Sequence, residues 1–245
     1  GTVLDVEEHA SPSLPEEFHE IVEFGILASQ RDPFDPMEKE IHSLYERIAP
    51  EDLRTRYRQV HEYPLGGIPP FMTHIFMDEA GQRIIAAKGA PESILNLSNC
   101  NEMDRKDILQ IAASFASKGY RVLGVGKGQW NEPHWPVSQE EFSFQFLGLI
   151  AFEDPPKEAI GSTISAFERA GIQFKMITGD YPETAIAIAS QIGMDHSQRV
   201  LTGKEVMDMD EKDLGDACYD TRIFARMFPE AKLRIIDALK KKGEI

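Results

Sequence analysis

The sequence predicts a mixed α/β protein with two domains: an α+β domain with an antiparallel sheet, then a doubly wound, Rossmann-type domain with a parallel sheet. Its 245 residues suit two ordinary domains. Hydrophobic residues at 42% and charged residues at 27% are typical of a globular protein. The order of helices and strands also changes after the Asp-Pro-Pro segment at 154–156, which indicates a domain boundary.

The first part is predicted from its periodicity. Apolar residues recur at helical or at strand spacing in alternating blocks. They predict helices at 16–29, 37–47 and 105–117, and strands at 71–77, 83–87, 120–125 and 144–152. Residues 62–70 are rich in proline and glycine, so we predict no regular structure there.

In the second part, helices alternate with short apolar strands. The helices are predicted at 157–170, 184–192 and 229–242, and the strands at 173–177 and 222–226. Such alternation is typical of a parallel, doubly wound sheet, whose ligands lie beyond the carboxyl ends of the strands.

Charge and cysteine content exclude several classes of function. A formal net charge of −15 argues against a nucleic-acid partner, since such binding draws on clustered Lys and Arg. Cys100 and Cys218 are far apart and form no CxxC pair, so we expect neither a disulfide framework nor a heavy-metal-binding repeat. No apolar run approaches the roughly 18 residues of a membrane span, so none of this sequence is expected to cross a membrane.

Two strand ends carry candidate phosphate ligands. At Thr178, Gly179 and Asp180 a strand meets a helix, where a hydroxyl, an amide and the helix N-terminus can bind a phosphate, with Asp180 capping the helix. The alternative is an ordinary turn with a capping Asp. Lys232 follows the other strand end and can neutralise a phosphoryl group, although taken alone it is better explained as a solvated helix lysine.

Five separated segments resemble P-type ATPases of the calcium-pump-like kind, in the same order and at similar spacing. They are KGAPE at 88–92, RVL at 121–123, DPPK at 154–157, MITGD at 176–180, and FAR at 224–226 with Lys232. Residues 28–38 also resemble the family's approach to its adenine site. The resemblance implies a nucleotide-binding domain at 1–153 and a partial, haloacid-dehalogenase-like phosphorylation domain at 154–245. Asp154, Pro155 and Pro156 would form the hinge, since proline restricts its own and its neighbour's backbone.

The resemblance also implies a nucleotide site. Glu38 and Tyr63 would lie near the adenine, Lys88 and Gly89 at the pocket floor, Arg121 and Leu123 near a phosphate, and Arg226 facing the nucleotide from across the hinge. The residue types fit, because Tyr can stack on a base and Arg can grip phosphate oxygens. Taken singly, each residue is better explained by its structural alternative: Tyr63 as a core residue, Glu38 as part of a solvated helix face and Arg121 as a strand residue with an exposed tip.

One segment departs from the family pattern. Residues 64–72 contain no Lys or Arg where relatives carry a basic stretch, so we expect weaker ATP binding. The family's DKTGT and TGDGxND motifs, which hold the phosphorylated Asp and bind Mg²⁺, do not occur in this sequence. We therefore expect a fragment that binds ATP without hydrolysing it.

The function implied by the resemblance is that of a cation-transporting ATP hydrolase working through an aspartyl phosphate. Thr178, Gly179, Asp180 and Lys232 would surround the transferred phosphoryl group. The partners would be ATP, with Mg²⁺ in the intact parent, and the transmembrane helices and actuator domain of the same chain. The fragment would be a soluble monomer from the cytoplasmic side of a membrane. The alternatives are a soluble haloacid-dehalogenase-like phosphatase with a large cap domain, and a catalytically silent nucleotide-binding module.

Overall fold

The chain folds into two compact units. The computed structural model describes residues 14–49, 52–194 and 199–243. Unit 1 comprises Gly1–Leu109 and Leu123–Ile150, and unit 2 comprises Gln110–Val122 and Ala151–Ile245, as far as these ranges are described. The predicted domain boundary at 153/154 stays a prediction.

A five-stranded antiparallel sheet organises unit 1, in the order β1-β2-β3-β4-β5. The strands are β1 (Arg58–Gly66), β2 (Phe71–Met77), β3 (Arg83–Gly89), β4 (Arg121–Gln129) and β5 (Ser143–Phe152), and the last two run across the boundary between the units. The helices are α1 (His19–Leu27), α2 (Pro36–Ile48) and α3 (Pro91–Asn96), and α4 (Glu102–Ala116) begins in unit 1 and ends in unit 2.

The prediction that residues 62–70 lack regular structure is wrong for residues 62–66, which belong to β1. This strand lies at the edge of the sheet, so the amide hydrogen that Pro64 lacks need not be donated to a second neighbouring strand. The register with β2 also shifts between Tyr63 and Gly66, which accommodates the proline. Residues 67–70 then form the turn into β2.

Both faces of the sheet are buried at β2. On one face Phe71 and Ile75 pack with Tyr63 and Phe144, and on the other Phe76 packs against α1. At the end of β3 the chains approach so closely that a Cβ on Gly89 would lie 2.4 Å from the Phe71 Cα. Glycine is therefore required directly after Lys88, because no side chain fits there.

Unit 2 contains a three-stranded parallel sheet in the order β6-β8-β7. The strands are β6 (Met176–Ile177), β7 (Val200–Thr202) and β8 (Ile223–Ala225), and the helices are α5 (Ile160–Arg169), α6 (Pro182–Gln191), α7 (Gly203–Asp208), α8 (Glu211–Asp220) and α9 (Pro229–Lys241). Phe224 on the central strand is fully buried. The predicted fold class, an antiparallel sheet followed by a small parallel one, is confirmed.

Two features are absent from the described residues. No described helix combines the length and apolarity needed to cross a bilayer. Likewise, no three described His, Cys, Asp or Glu side chains group in a way that could hold a metal ion.

Candidate functional site

The Lys88 side chain ends in a buried polar cluster of unit 1. Lys88 lies on β3 with only 5% of its surface exposed. Its Nζ donates to the Ser29 Oγ at 2.6 Å and forms a short ion pair with the Glu38 Oε1. Ser29 lies just after α1, where its hydroxyl also donates to the Gly25 carbonyl. Three elements thus converge on one ammonium group.

Glu38 is positioned by the start of α2. Asp35 caps this helix by accepting hydrogen bonds from the Met37 and Glu38 amides, and Pro36 occupies the first turn. These features place Glu38 on the inward face, where it is 9% exposed. Its second oxygen accepts from the Gln30 amide at 3.4 Å. The solvated-face alternative is therefore wrong for Glu38, because the helix turns this side chain toward Lys88.

Burial dominates the electrostatics of this cluster. Loss of water lowers the pKa of Lys88, because the charged ammonium is disfavoured there, while the Glu38 carboxylate opposes this shift. An anion can bind Lys88 only if the ammonium bonds to both the anion and Glu38, or if the Glu38 carboxylate moves away from Lys88. The structure brings together two predicted nucleotide residues, Glu38 and Lys88, with Gly89 adjacent in sequence.

Tyr63 lies in the core of unit 1. Its ring is 9% exposed, packs edge-on against Phe142 at 5.5 Å between centroids, and its hydroxyl donates to the Pro136 carbonyl at 2.5 Å. Burial raises the pKa of this phenol. This geometry agrees with the alternative that Tyr63 is a core residue. That Tyr63 stacks on adenine stays a prediction.

His74 was missed from the sequence. It lies on β2, is fully buried, and shares a sheet face with Lys88, as the register Met72↔Lys88 and His74↔Ala86 requires. Its Nδ1–H donates to the Leu27 carbonyl at 3.1 Å, because a carbonyl oxygen can only accept. Its Nε2 has no hydrogen-bond partner among the described residues and lies 4.0 Å from Glu62. Strand alternation around residue 74 is the signal that could have identified it.

Arg121, Asp180 and Thr178 form a second cluster, in unit 2. The Arg121 Nε donates to the Asp180 Oδ1 at 3.1 Å, and its Nη1 lies 3.7 Å from Asp154. The Thr178 hydroxyl donates to the Asp180 Oδ2 at 2.7 Å. The prediction that Asp180 caps the following helix is wrong: Tyr181 is the N-cap residue of α6, and the Asp180 carboxylate is held by Arg121 and Thr178 instead.

Two further predicted residues follow β8. The Arg226 amide donates to the Asp180 carbonyl at 2.9 Å, which joins the β8 loop to the loop after β6. Lys232 is exposed on α9, and its ammonium has no described acceptor, as the solvated-lysine alternative expects. Gly179 lies between Thr178 and Asp180 in the same loop. The structure thus places Arg226 beside Thr178 and Asp180, and Lys232 at the surface.

The remaining predicted residues do not join either cluster. Leu123 is half-buried on β4. Pro155 and Pro156 lie in an irregular segment before α5, with Pro155 exposed. Near the end of β1 and in the turn after it, Leu65 and Ile68 are 64% and 70% exposed, so this surface is apolar where the family pattern has cations.

Comparison with known proteins identifies the family of this chain. The model for "P-type ATPase, cytoplasmic domain N" matches residues 35–159, half of the chain. The probable cation-transporting ATPase F of Mycobacterium tuberculosis is 33% identical over 211 residues, which cover 80% of this chain and 23% of that protein. The calcium-transporting ATPase 1 of Saccharomyces cerevisiae is 32% identical over 211 residues, which cover 79% and 22%. The calcium-transporting ATPase of Bacillus subtilis is 30% identical over 210 residues, which cover 81% and 24%.

This chain spans about a quarter of the length of the curated relatives it matches. The family model covers the whole stretch from the N-cap of α2 to the N-cap of α5, including Glu38, Lys88 and Arg121. The chain therefore belongs to the P-type ATPase family and includes its cytoplasmic domain N.

Proposed function

We propose that this chain binds ATP through unit 1, as the nucleotide-binding part of a P-type ATPase that transports a cation. The observation that carries the proposal is the buried ion pair between Lys88 and Glu38, with Ser29 as the third member. These residues lie in segments that resemble the family's nucleotide site, and the family model covers both charged ones.

Burial of the Lys88–Glu38 ion pair supports a functional role for these residues more than a role in stability. Replacing such a pair by apolar side chains is often neutral or stabilising, so burial of two charges is weak support for a role in stability. Perturbed ionisable groups also concentrate at functional sites. A lysine with a depressed pKa, beside a movable carboxylate, can offer its charge to a phosphate oxygen when a nucleotide replaces part of its present hydrogen bonding.

We place the phosphoryl chemistry of the parent at unit 2. There Thr178, Gly179 and Lys232 would contact the transferred group, while Asp180 and Arg121 hold the loop in shape. An aspartate in a DKTGT motif would accept the phosphoryl group, and Mg²⁺ would neutralise the developing charge. Neither the DKTGT motif nor the TGDGxND motif, which binds Mg²⁺ in the family, occurs in this sequence, so we expect ATP binding without turnover. The parent's membrane helices and actuator domain, and a place on the cytoplasmic side, complete the proposal.

Among the alternatives, the ATPase is favoured over the phosphatase. A phosphatase would use the first half of the chain only as a cap and has no need of a nucleotide-binding module. That half is the part that the family model matches as domain N.

Titration calorimetry with ATP tests the proposal. We expect Lys88→Ala to lose about tenfold or more in affinity, because a charge-assisted hydrogen bond contributes about 1.5–3 kcal/mol. Lys127→Ala is the matched control: Lys127 lies in the same unit, but its ion pair with Glu20 is on the surface. The control should bind ATP like the unaltered chain. Far-UV circular dichroism confirms that each variant is folded at the temperature used.

Two results would count against the proposal. One is the absence of ATP-dependent heat from the unaltered chain. The other is equal affinity of the folded Lys88→Ala variant and the Lys127→Ala control. Steady phosphate release by the purified chain would refute the expectation that it binds without turnover.

A further inference from the structure

Gln30 is bound through both its amide and its carbonyl by the helix that follows it. The residue lies in the connection between α1 and α2, directly after Ser29. Its amide donates to the Glu38 Oε2 at 3.4 Å, and its carbonyl oxygen lies 3.0 Å from the His42 Nε2. Glu38 and His42 are four residues apart on α2, so they share one face of the helix. One turn of α2 therefore fixes the backbone of a single loop residue.

The His42 ring can bind the Gln30 carbonyl only as a donor, because a carbonyl oxygen can only accept. Burial and, after it, the Arg54 guanidinium lower the pKa of His42, so the ring is uncharged at pH 7. An uncharged ring carries one proton, which must then lie on Nε2. Arg54 is itself held by Asp52, with its Nε 3.0 Å from the Oδ1 and its Nη2 2.8 Å from the Oδ2.

The Gln30 amide is the second donor to a carboxylate that is almost buried. Glu38 is 9% exposed, and its other oxygen pairs with the Lys88 ammonium. A buried carboxylate that lacks donors is costly, because it has also lost its water. A phosphate bound at Lys88 would take hydrogen bonds of the ammonium away from Glu38. The carboxylate can release the ammonium at lower cost if its other oxygen keeps the Gln30 amide.

The residue before Gln30 contacts Lys88 directly. The Ser29 Oγ accepts from the Lys88 Nζ at 2.6 Å and donates to the Gly25 carbonyl at 2.8 Å. The carbonyl to which His42 donates belongs to the next residue in the chain. Displacement of the Gln30 backbone would therefore also move Ser29, so both partners of the Lys88 ammonium depend on the His42 hydrogen bond.

We propose that His42 is a positioning residue for nucleotide binding: its Nε2–H fixes the Gln30 backbone, whose amide holds the Glu38 carboxylate when the Lys88 ammonium turns to a phosphate. This inference rests on the proposed ATP binding and deepens it, because it assigns to the same site a residue outside the segments that resemble the family. His42 itself touches no nucleotide in this arrangement. It acts through Gln30 and Glu38.

Titration calorimetry of His42 variants with ATP tests the inference. His42→Leu removes the donor and should weaken ATP binding about threefold to tenfold, the range that corresponds to one uncharged hydrogen bond. His42→Gln should recover most of this loss, since its side-chain amide can donate to the same carbonyl. In the Glu38→Gln background His42→Leu should cost much less, because no carboxylate remains to be held. His42 is only half-buried, so His42→Leu should fold, which far-UV circular dichroism checks.

His19→Leu is the matched control. The His19 Nε2 also lies 2.7 Å from a backbone carbonyl oxygen of unit 1, that of Leu14. Loss of this hydrogen bond should leave ATP affinity unchanged. Proton–nitrogen NMR of the unaltered chain gives an independent readout, because it shows which ring nitrogen carries the proton. His42 should be in the Nε2–H form both without and with ATP.

The outcomes distinguish this inference from the proposed function. Unchanged affinity in the folded His42→Leu variant, while Lys88→Ala loses binding, would overturn the positioning role and leave the proposed function standing. Equal losses in His42→Leu and His42→Gln, an undiminished loss in the Glu38→Gln background or an equal loss in His19→Leu would also overturn it. So would a His42 ring in the Nδ1–H form. If the unaltered chain binds no ATP, both fall.

Discussion

Removing one partner of the Lys88–Glu38 pair should destabilise unit 1 strongly. The two residues are 5% and 9% exposed, so Lys88→Met leaves a carboxylate with little access to water. Breaking a buried pair on one side typically costs about 3–5 kcal/mol. Because Glu38 keeps a hydrogen bond from the Gln30 amide, we expect the lower end, about 3 kcal/mol.

The double variant identifies the cause. Lys88→Met together with Glu38→Gln removes both charges, so most of the lost stability should return, since no buried charge remains unpaired. Lys127→Met is the control on the surface pair with Glu20, whose side chains are 43% and 50% exposed. We expect it to change the free energy of unfolding by less than about 1 kcal/mol.

Urea unfolding followed by tryptophan fluorescence measures these changes within unit 1. Both tryptophans of the chain, Trp130 and Trp135, lie in this unit, so their emission does not report unit 2. A loss below about 1 kcal/mol in Lys88→Met would refute the reasoning. The reasoning would also be refuted if the double variant lost as much free energy of unfolding as Lys88→Met and Glu38→Gln lose in sum.

Two further predictions concern the same sheet. Gly89→Ala should destabilise unit 1 by at least about 2 kcal/mol, measured by the same urea titration, because its Cβ would meet the Phe71 backbone, which cannot turn away as a side chain can. His74 should make unit 1 less stable as the pH falls below about 6.5, the ordinary pKa of histidine. Burial lowers the pKa of His74 in the folded state. As the pH falls, the unfolded chain therefore binds the proton at a higher pH than the folded one, and the free energy of unfolding decreases. Unfolding at pH 7.5 and 5.5 should show a smaller pH dependence in His74→Gln.

Each of these has its own control. At Gly66 a Cβ would meet nothing closer than 3.6 Å, so Gly66→Ala should be nearly neutral, and equal losses at both glycines would contradict the packing argument. His42 also has a pKa lowered by burial and by Arg54, so some pH dependence should remain in His74→Gln. An unchanged dependence in that variant would exclude His74 as a source.

Local sequence patterns predicted most of the elements. Periodicity predicted α2 over residues 37–47, and alternating residues predicted β2 with its bounds at Phe71 and Met77. They failed for residues 62–66, because Pro64 is acceptable only on an edge strand. Whether a strand lies at the edge depends on the order of the whole sheet, which no local pattern contains.

At the candidate sites too, local patterns identified the segments but not the contacts between them. The motifs pointed to Lys88, Glu38, Thr178, Asp180 and Arg226, because each segment has a spacing and residue types typical of the family. They did not predict that Tyr63 is buried, that Asp180 bonds Arg121 instead of capping α6, or that His74 lies on the face of Lys88. Those features are contacts between distant segments.

The sequence alone determined the family, most of the helices and strands of both units and the segments that carry the candidate chemistry, because these depend on periodicity and on short motifs. Only the tertiary structure decided which groups are partners. Lys88 meets Glu38 and Ser29, which lie 50 and 59 residues away in the chain, and Arg226 meets Tyr181. Burial and pairing of charges follow from how sheets and helices pack, and packing joins residues whose separation leaves no signal in the local sequence.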